Sequence, residues 1–211
     1  MSQGKFITFE GPEGSGKSTH IRLLADFLRA RGLDVTLTRE PGGTPTGEAI
    51  RRLLQHNEAG ESPADRTEVL LFLASRAQHV ERLIRPALAA GRWVLCDRYD
   101  DSTLAYQGYG RGFGLNELRA LNAFATGGLV PDLTLLLDIP VEEGFRRLAA
   151  RPPAAEDRIE RAERAFHERV RQGYLELARS EPVRFRVLPT AGPVAATGEA
   201  VWQAVRERFG V

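Results

Sequence analysis

The sequence predicts an α/β fold built on a mostly parallel sheet. Three observations carry that reading. Short β-rich runs alternate with helical stretches along the whole chain. The runs are nearly continuous in apolar residues, as strands covered on both faces are. The first of them feeds straight into a glycine-rich turn that opens a helix. Right-handed crossovers then gather the strand-to-helix loops at one edge of the sheet, where such folds bind ligands.

The elements follow in order. KFITFE (5–10) is the first strand. KSTHIRLLADFLRARG (17–32) sets Ile21, Leu24 and Leu28 on one helical face, and Gly32 stops it. LDVTLTR (33–39) is a second strand, and EPGGTP (40–45) is too rich in turn formers for regular structure. TGEAIRRLLQ (46–55) is a short helix, and a long one runs from about Asp65 to Ala90. RWVLCDR (92–98) is a third strand, apolar enough to be central. LNELRALNAFA (115–125) is helical, DLTLLLDI (132–139) is the most hydrophobic strand, and VEEGFRRLAAR (141–151) is helical until PPAAE breaks it. A charged helix spans about Asp157–Ser180. VRFRVLP (183–189) is the fifth strand, and Val194–Phe209 closes the chain. No linker divides it, so residues 1–211 are expected to form a single domain.

Composition excludes several classes. The formal net charge is +1, so no general polyanion or nucleic-acid binder is expected, although Lys5 and Lys17 are the only lysines among 29 basic residues. The single cysteine, Cys96, excludes an internal disulfide and a cysteine metal cluster, which fits a reducing compartment. No apolar run reaches the ~20 residues of a membrane span, and the first residues do not resemble a signal peptide. A cytoplasmic protein with no membrane partner is the expectation.

Gly11 to Ser18 carries the spacing G-x-x-x-x-G-K-S, after a strand and before a helix. Gly11, Gly14 and Gly16 let successive backbone N–H groups face one point, and the helix N-terminus adds positive potential there. In such a loop Lys17 reaches the β- and γ-phosphates and the Ser18 hydroxyl ligates Mg²⁺. The nucleotide-binding set is Gly11, Pro12, Glu13, Gly14, Ser15, Gly16, Lys17, Ser18 and Thr19, with ATP or GTP and magnesium as ligands. Neither N-K-x-D nor D-x-x-G is present, which argues against a switch GTPase or a non-enzymatic nucleotide switch.

Four further stretches share a theme, and the first two, TREPGGT and CDRYDDST, end strands at the ligand edge. TREPGGT (38–44) carries Arg39. CDRYDDST (96–103) carries Asp97 and Arg98. VLLFLASRAQ (69–78) sets Phe72 and Arg76 one helical turn apart. AYQGYGRG (105–112) places Tyr106 and Gln107 before a glycine-rich turn. Transfer of a phosphoryl group to another phosphate needs cations that cancel the repulsion of two polyanions, and it needs water kept out. The planar fork of arginine suits the first task.

These motifs, with PDLTLLLD and DRIE, resemble the thymidylate kinase family in order and over nearly the whole chain. The resemblance implies a P-loop kinase fold, a five-stranded mostly parallel sheet flanked by helices with a short lid (about 147–158). It also implies ATP- and Mg²⁺-dependent phosphorylation of dTMP to dTDP, for dTTP synthesis, by a homodimer formed through the helices between Asp65 and Thr126.

Position by position, the resemblance sets Arg39 and Arg98 on the dTMP phosphate, Phe72 in a stack with thymine and Arg76 on a thymine carbonyl. Tyr106 would lie against the deoxyribose, Gln107 near the base or phosphate, and Glu13 on the 3′-OH. Asp97 would orient Mg²⁺ through water. Lys17, Arg98, Asp97 and a lid arginine form the catalytic set. Because Gly14 stands where one branch of the family has arginine, that cation is expected from the lid: Arg151, with Arg147 and Arg158 as alternatives. The alternative functions are a deoxynucleoside kinase, against which Arg39 and Arg98 argue, or another nucleoside monophosphate kinase.

Overall fold

A computed structural model describes residues 4–56, 60–150 and 163–211 of the chain. Five parallel strands lie in the order β2-β3-β1-β4-β5. They are β1 (Phe6–Glu10), β2 (Val35–Arg39), β3 (Trp93–Asp97), β4 (Leu133–Asp138) and β5 (Phe185–Pro189). β1 lies at the centre, with Phe9 beside Asp97 of β3 and Leu135 of β4. The described strands are those the sequence predicts, with ends that differ by a residue or two.

The strands are apolar throughout because both faces are covered. On one face Ile7, Phe9, Leu95, Leu133, Leu135 and Leu137 pack with α1 (Lys17–Arg29) and α9 (Val194–Phe209) through Ile21, Leu24, Leu28, Val201 and Val205. The side chains of α1 recur at three- and four-residue steps, which is why one helical stripe suffices to cover the strands. On the other face Phe6, Val94 and Cys96 meet Val80, Ile84 and Tyr99. There Leu136 joins Val170, Tyr174 and Leu177 of α8 (Arg164–Ser180). Burial also pushes the Cys96 thiol well above its usual range, as for an inert packed cysteine.

Between these elements lie α2 (Pro45–His56), α3 (Asp65–His79), α4 (Arg85–Ala89), α5 (Asp100–Thr103), α6 (Leu115–Thr126) and α7 (Val141–Ala149). The long helix expected between Asp65 and Ala90 is present but widens at Val80–Ile84 into a π-helical stretch joining α3 to α4. A second π-helical segment, Leu104–Gly110, continues α5. The sequence predicts only an approach to a glycine turn there. Leu104, Ala105 and Tyr106 are buried in the cluster beside α8, and that packing holds a glycine-containing segment in helical form. Of the charged helix expected from Asp157, Arg164–Ser180 is described, and 151–162 lies outside the described residues.

Candidate active site

The phosphate loop sits between the end of β1 and α1, at the centre of the ligand edge. Lys17 Nζ donates to the carbonyls of Gly11 and Pro12, both at 2.9 Å, so it is drawn across the mouth of the loop. Burial, and the neighbouring Arg98, pull its pKa down to about 8. Ser18 Oγ donates to Asp97 Oδ2 at 3.0 Å. The two oxygens predicted to face a metal are therefore already adjacent, at the ends of α1 and β3. Ser18 and Thr19 are exposed.

Gly14 has φ +72°, and a Cβ there would run into the carbonyl of Gly144 on α7. A Cβ on Gly144 would in turn run into the carbonyl of Glu13. Two glycines thus let the helix that leads to the expected lid lie directly on the phosphate loop.

Three of the predicted acceptor groups, Arg98, Tyr106 and Glu13, converge at the loop. Arg98 takes φ +70°, the left-handed region, the one non-glycine residue to do so among those described. Such a backbone costs about 1–3 kcal/mol and clusters at functional sites. It turns the guanidinium back over the loop, where Nη2 donates to Glu13 Oε1 and to the Tyr106 hydroxyl (2.9 Å). The same hydroxyl donates to Glu13 Oε1 at 2.8 Å. Burial opposes ionisation of Glu13, but Arg98 and Lys17 outweigh it and hold its pKa at about 2. The carboxylate inside an anion-binding loop is therefore fixed as an acceptor for donors on the far side.

Behind Arg98 lies a second layer that sequence reasoning missed. Arg98 Nη1 reaches the Tyr174 hydroxyl at 3.1 Å, with Ser102 Oγ at 3.4 Å. Both hydroxyls donate to Glu10 Oε2, at 2.8 and 2.6 Å. Glu10 Oε1 accepts from the Tyr99 amide at 2.7 Å. Glu10 is wholly buried, and burial together with nearby Asp101 pushes its pKa up to about 7. A lone acidic residue ending an apolar strand was the available signal for Glu10. Tyr174, 164 residues away, had none.

Arg76 is 1% exposed and almost fully engaged. Nε donates to Glu40 Oε2 (2.8 Å), Nη1 to Thr103 Oγ1 (2.8 Å) and Asn122 Oδ1 (2.7 Å), and Nη2 to the Tyr99 carbonyl (2.9 Å). Burial alone would lower its pKa, but Glu40 and Asp100 raise it, so the charge is retained. Phe72, one turn earlier, is half-buried and belongs to none of the three apolar clusters. Gln107 is 2% exposed and donates to the buried Glu68 at 2.9 Å, so its amide nitrogen is turned into the protein. Arg111 grips both oxygens of the same carboxylate, each at 3.0 Å.

Arg39 stands apart. It donates to Glu48 Oε2 at 2.8 Å, and both side chains are substantially exposed. Such a pair is worth about 0–1 kcal/mol, so the arginine is readily redirected. Of the lid arginines, Arg147 is tied to Glu143 (3.0 Å) and to the Thr190 carbonyl (2.7 Å). Arg151 and Arg158 lie outside the described residues.

Comparisons with known proteins point to one family. A family model described as thymidylate kinase matches residues 9–201. The thymidylate kinase of Deinococcus radiodurans is 51% identical over 208 residues, covering 99% of both chains. That of Desulfovibrio desulfuricans is 55% identical over 193 residues, 89% of this chain and 88% of its own. The crystal structure of thymidylate kinase from Ehrlichia chaffeensis superposes with a TM-score of 0.78 at 33% identity, covering 96% of this chain and 99% of that one.

Proposed function

This chain belongs to the thymidylate kinase family, and from that premise we propose how its residues divide the work of phosphorylating dTMP. The observation that carries the reading is the meeting of Arg98, Tyr106 and Glu13. It joins the acceptor-side loop after β3 to the inside of the phosphate loop, so donor and acceptor share one edge.

ATP is the phosphoryl donor. Its β- and γ-phosphates lie on the backbone of Gly11–Thr19 under Lys17, and dianionic phosphate beside that amine keeps it protonated despite burial. Ser18 and Asp97 would hold Mg²⁺, the latter through water. The fit is chemical: a hydroxyl and a carboxylate 3.0 Å apart at an open edge suit a hard cation that keeps several waters. When bound, the ion neutralises charge on the phosphates. Arg98 and Arg39 orient the dTMP phosphate, and Arg39 leaves its exposed pair with Glu48 to do so. An oxygen of that phosphate attacks the γ-phosphorus, the bond from γ-phosphorus to the β–γ bridging oxygen breaks, and ADP leaves. Arg151 is the first candidate for the lid cation, with Arg147 and Arg158 as alternatives. Phe72 stacks on thymine, Arg76 donates to a thymine carbonyl, and Tyr106 and Glu13 face the deoxyribose. Gln107 acts near the base through its carbonyl oxygen, its nitrogen being held by Glu68.

The whole chain acts as one kinase domain, with a lid at about 147–158. It works as a homodimer. α3 and α6 pack side by side and present Leu70, Leu121 and Phe124 outward, the last 89% exposed. No described helix is long and apolar enough to cross a membrane. We place the enzyme in the cytoplasm, with dTMP and ATP rather than nucleic acid as partners.

ADP formation with ATP and Mg²⁺ against dTMP, dUMP, dCMP, AMP and thymidine tests the reading. dTMP is the best acceptor, and a preference for thymidine would replace it with the deoxynucleoside kinase alternative.

A further inference from the structure

Arg76 is clamped from four directions. Glu40 follows β2, Tyr99 follows β3, Thr103 ends α5 and Asn122 lies on α6. Two of these clamps, Glu40 and Asn122, are themselves held. Glu40 Oε1 contacts His79 Nδ1 at 3.1 Å, and His79 Nε2 contacts Thr38 Oγ1 at 2.6 Å. Asn122 Nδ2 donates to the Asp100 carbonyl at 3.0 Å. Glu40 and Asn122 are 5% and 3% exposed, so both act from behind the guanidinium. A guanidinium has five N–H groups. Four are held here in fixed directions, and the plane of the group is set by bonds at Nε, Nη1 and Nη2. One N–H on Nη2 is left, with its direction determined by the other four.

We propose that Asn122 and Glu40 are specificity-determining positioning residues, which fix Arg76 as a single immobile donor and so restrict the acceptor base to one with a carbonyl oxygen at that point. The inference rests on the reading of Arg76 as the base contact. A base with an amino group there sets donor against donor. A free arginine would swing aside or admit a water, and the penalty would shrink. A clamped one cannot, because every displacement breaks a buried hydrogen bond. Selectivity between carbonyl and amino pyrimidines therefore comes from rigidity behind the contact.

The test compares kcat/KM for dTMP and dCMP in the wild type, Asn122→Ala, Glu40→Gln and Arg76→Ala, with dTMP affinity measured calorimetrically without ATP. Asn122→Ala lowers the dTMP-to-dCMP ratio about tenfold and weakens dTMP binding, while the KM for ATP changes less than twofold. Glu40→Gln keeps an oxygen toward Nε but loses the ion pair, and it lowers the ratio in the same direction by about threefold. It carries the test alone if Asn122→Ala does not fold. If these substitutions lower the unfolding temperature and the rates with both acceptors equally, leaving the ratio unchanged, the residues are structural only and the proposal is overturned. If Arg76→Ala itself leaves dTMP affinity and the ratio unchanged, the base-contact reading fails first. Loss in Arg76→Ala with an unchanged ratio in the other two overturns the positioning role alone.

Discussion

The Tyr106 hydroxyl donates to Glu13 Oε1 at 2.8 Å while it accepts from Arg98 Nη2 at 2.9 Å. One phenol thus spans a carboxylate of the phosphate loop and the arginine that follows β3. Tyr106→Phe deletes both bonds and keeps the ring, which packs edge-on to Phe166 and Tyr174. A hydrogen bond to a charged group is worth about 1.5–3 kcal/mol, or about tenfold to a hundredfold. The KM for dTMP is expected to rise by at least tenfold in initial-rate assays, with the KM for ATP nearly unchanged. An equal rise in both would make Tyr106 a support of the phosphate loop and not of the acceptor.

Gly144 yields a sharper geometric prediction. A methyl group there meets the backbone carbonyl of Glu13, which no side-chain rotation relieves. Gly144→Ala must push α7 or the phosphate loop aside. Displacements of about 1 Å at a reacting centre cost about a hundredfold in rate. A fall in kcat of that order is expected in single-turnover measurements of ADP formation, with folding retained by circular dichroism. A kcat within twofold of wild type would show that the contact is slack.

How far the sequence revealed these arrangements depends on distance along the chain. The strands were legible because a strand buried on both faces has one pattern, an unbroken apolar run such as Leu133–Leu137. The phosphate loop was legible because its parts lie within nine residues, Gly11–Thr19. The convergence of Asp97 and Arg98 on that loop followed from parallel topology, which brings β1 and β3 side by side. The helical state of Leu104–Gly110 was not legible, since its glycines argue for a turn and the opposing force is packing on α8. Nor were the groups behind the site. Glu40, Asn122 and Tyr174 reach Arg76 or Arg98 over separations of 36, 46 and 76 residues, and each looks locally like an ordinary polar or core residue. Gln107 shows the limit from the other side, because its place before a glycine turn is visible in the sequence but the buried Glu68 that turns its nitrogen inward is not.

α6 faces two ways. It directs Asn122 into the Arg76 clamp and turns Leu121 and Phe124 outward. A large aromatic ring 89% exposed beside other apolar side chains fits the association surface proposed above. Phe124→Glu introduces a charge that a symmetric dimer would bury, opposite its own copy. Sedimentation equilibrium is expected to show a monomer for the variant and a dimer for the wild type. Affinity for dTMP is expected to fall with it, because α6 loses the support that holds Asn122 in register. A variant that remains dimeric would move the interface elsewhere.

Glu10 supplies the pH-dependent prediction. Folded, it keeps its proton up to about pH 7, because burial and Asp101 outweigh the help of Arg98, Ser102 and Tyr174. In the unfolded chain it releases that proton near the ordinary 4.5. Between these values the folded state binds more protons, so stability falls as pH rises from about 4.5 to 7 and then levels off. The shift corresponds to about 3 kcal/mol at the upper end of that window. Glu10→Gln removes the titration and retains an oxygen for the Tyr99 amide. In urea titrations across pH 4.5–8 the variant is expected to lack this component of the slope, so that it gains on the wild type as pH increases. Parallel stability curves for the two proteins would mean that Glu10 is ionised throughout, held by the two hydroxyls and Arg98 alone.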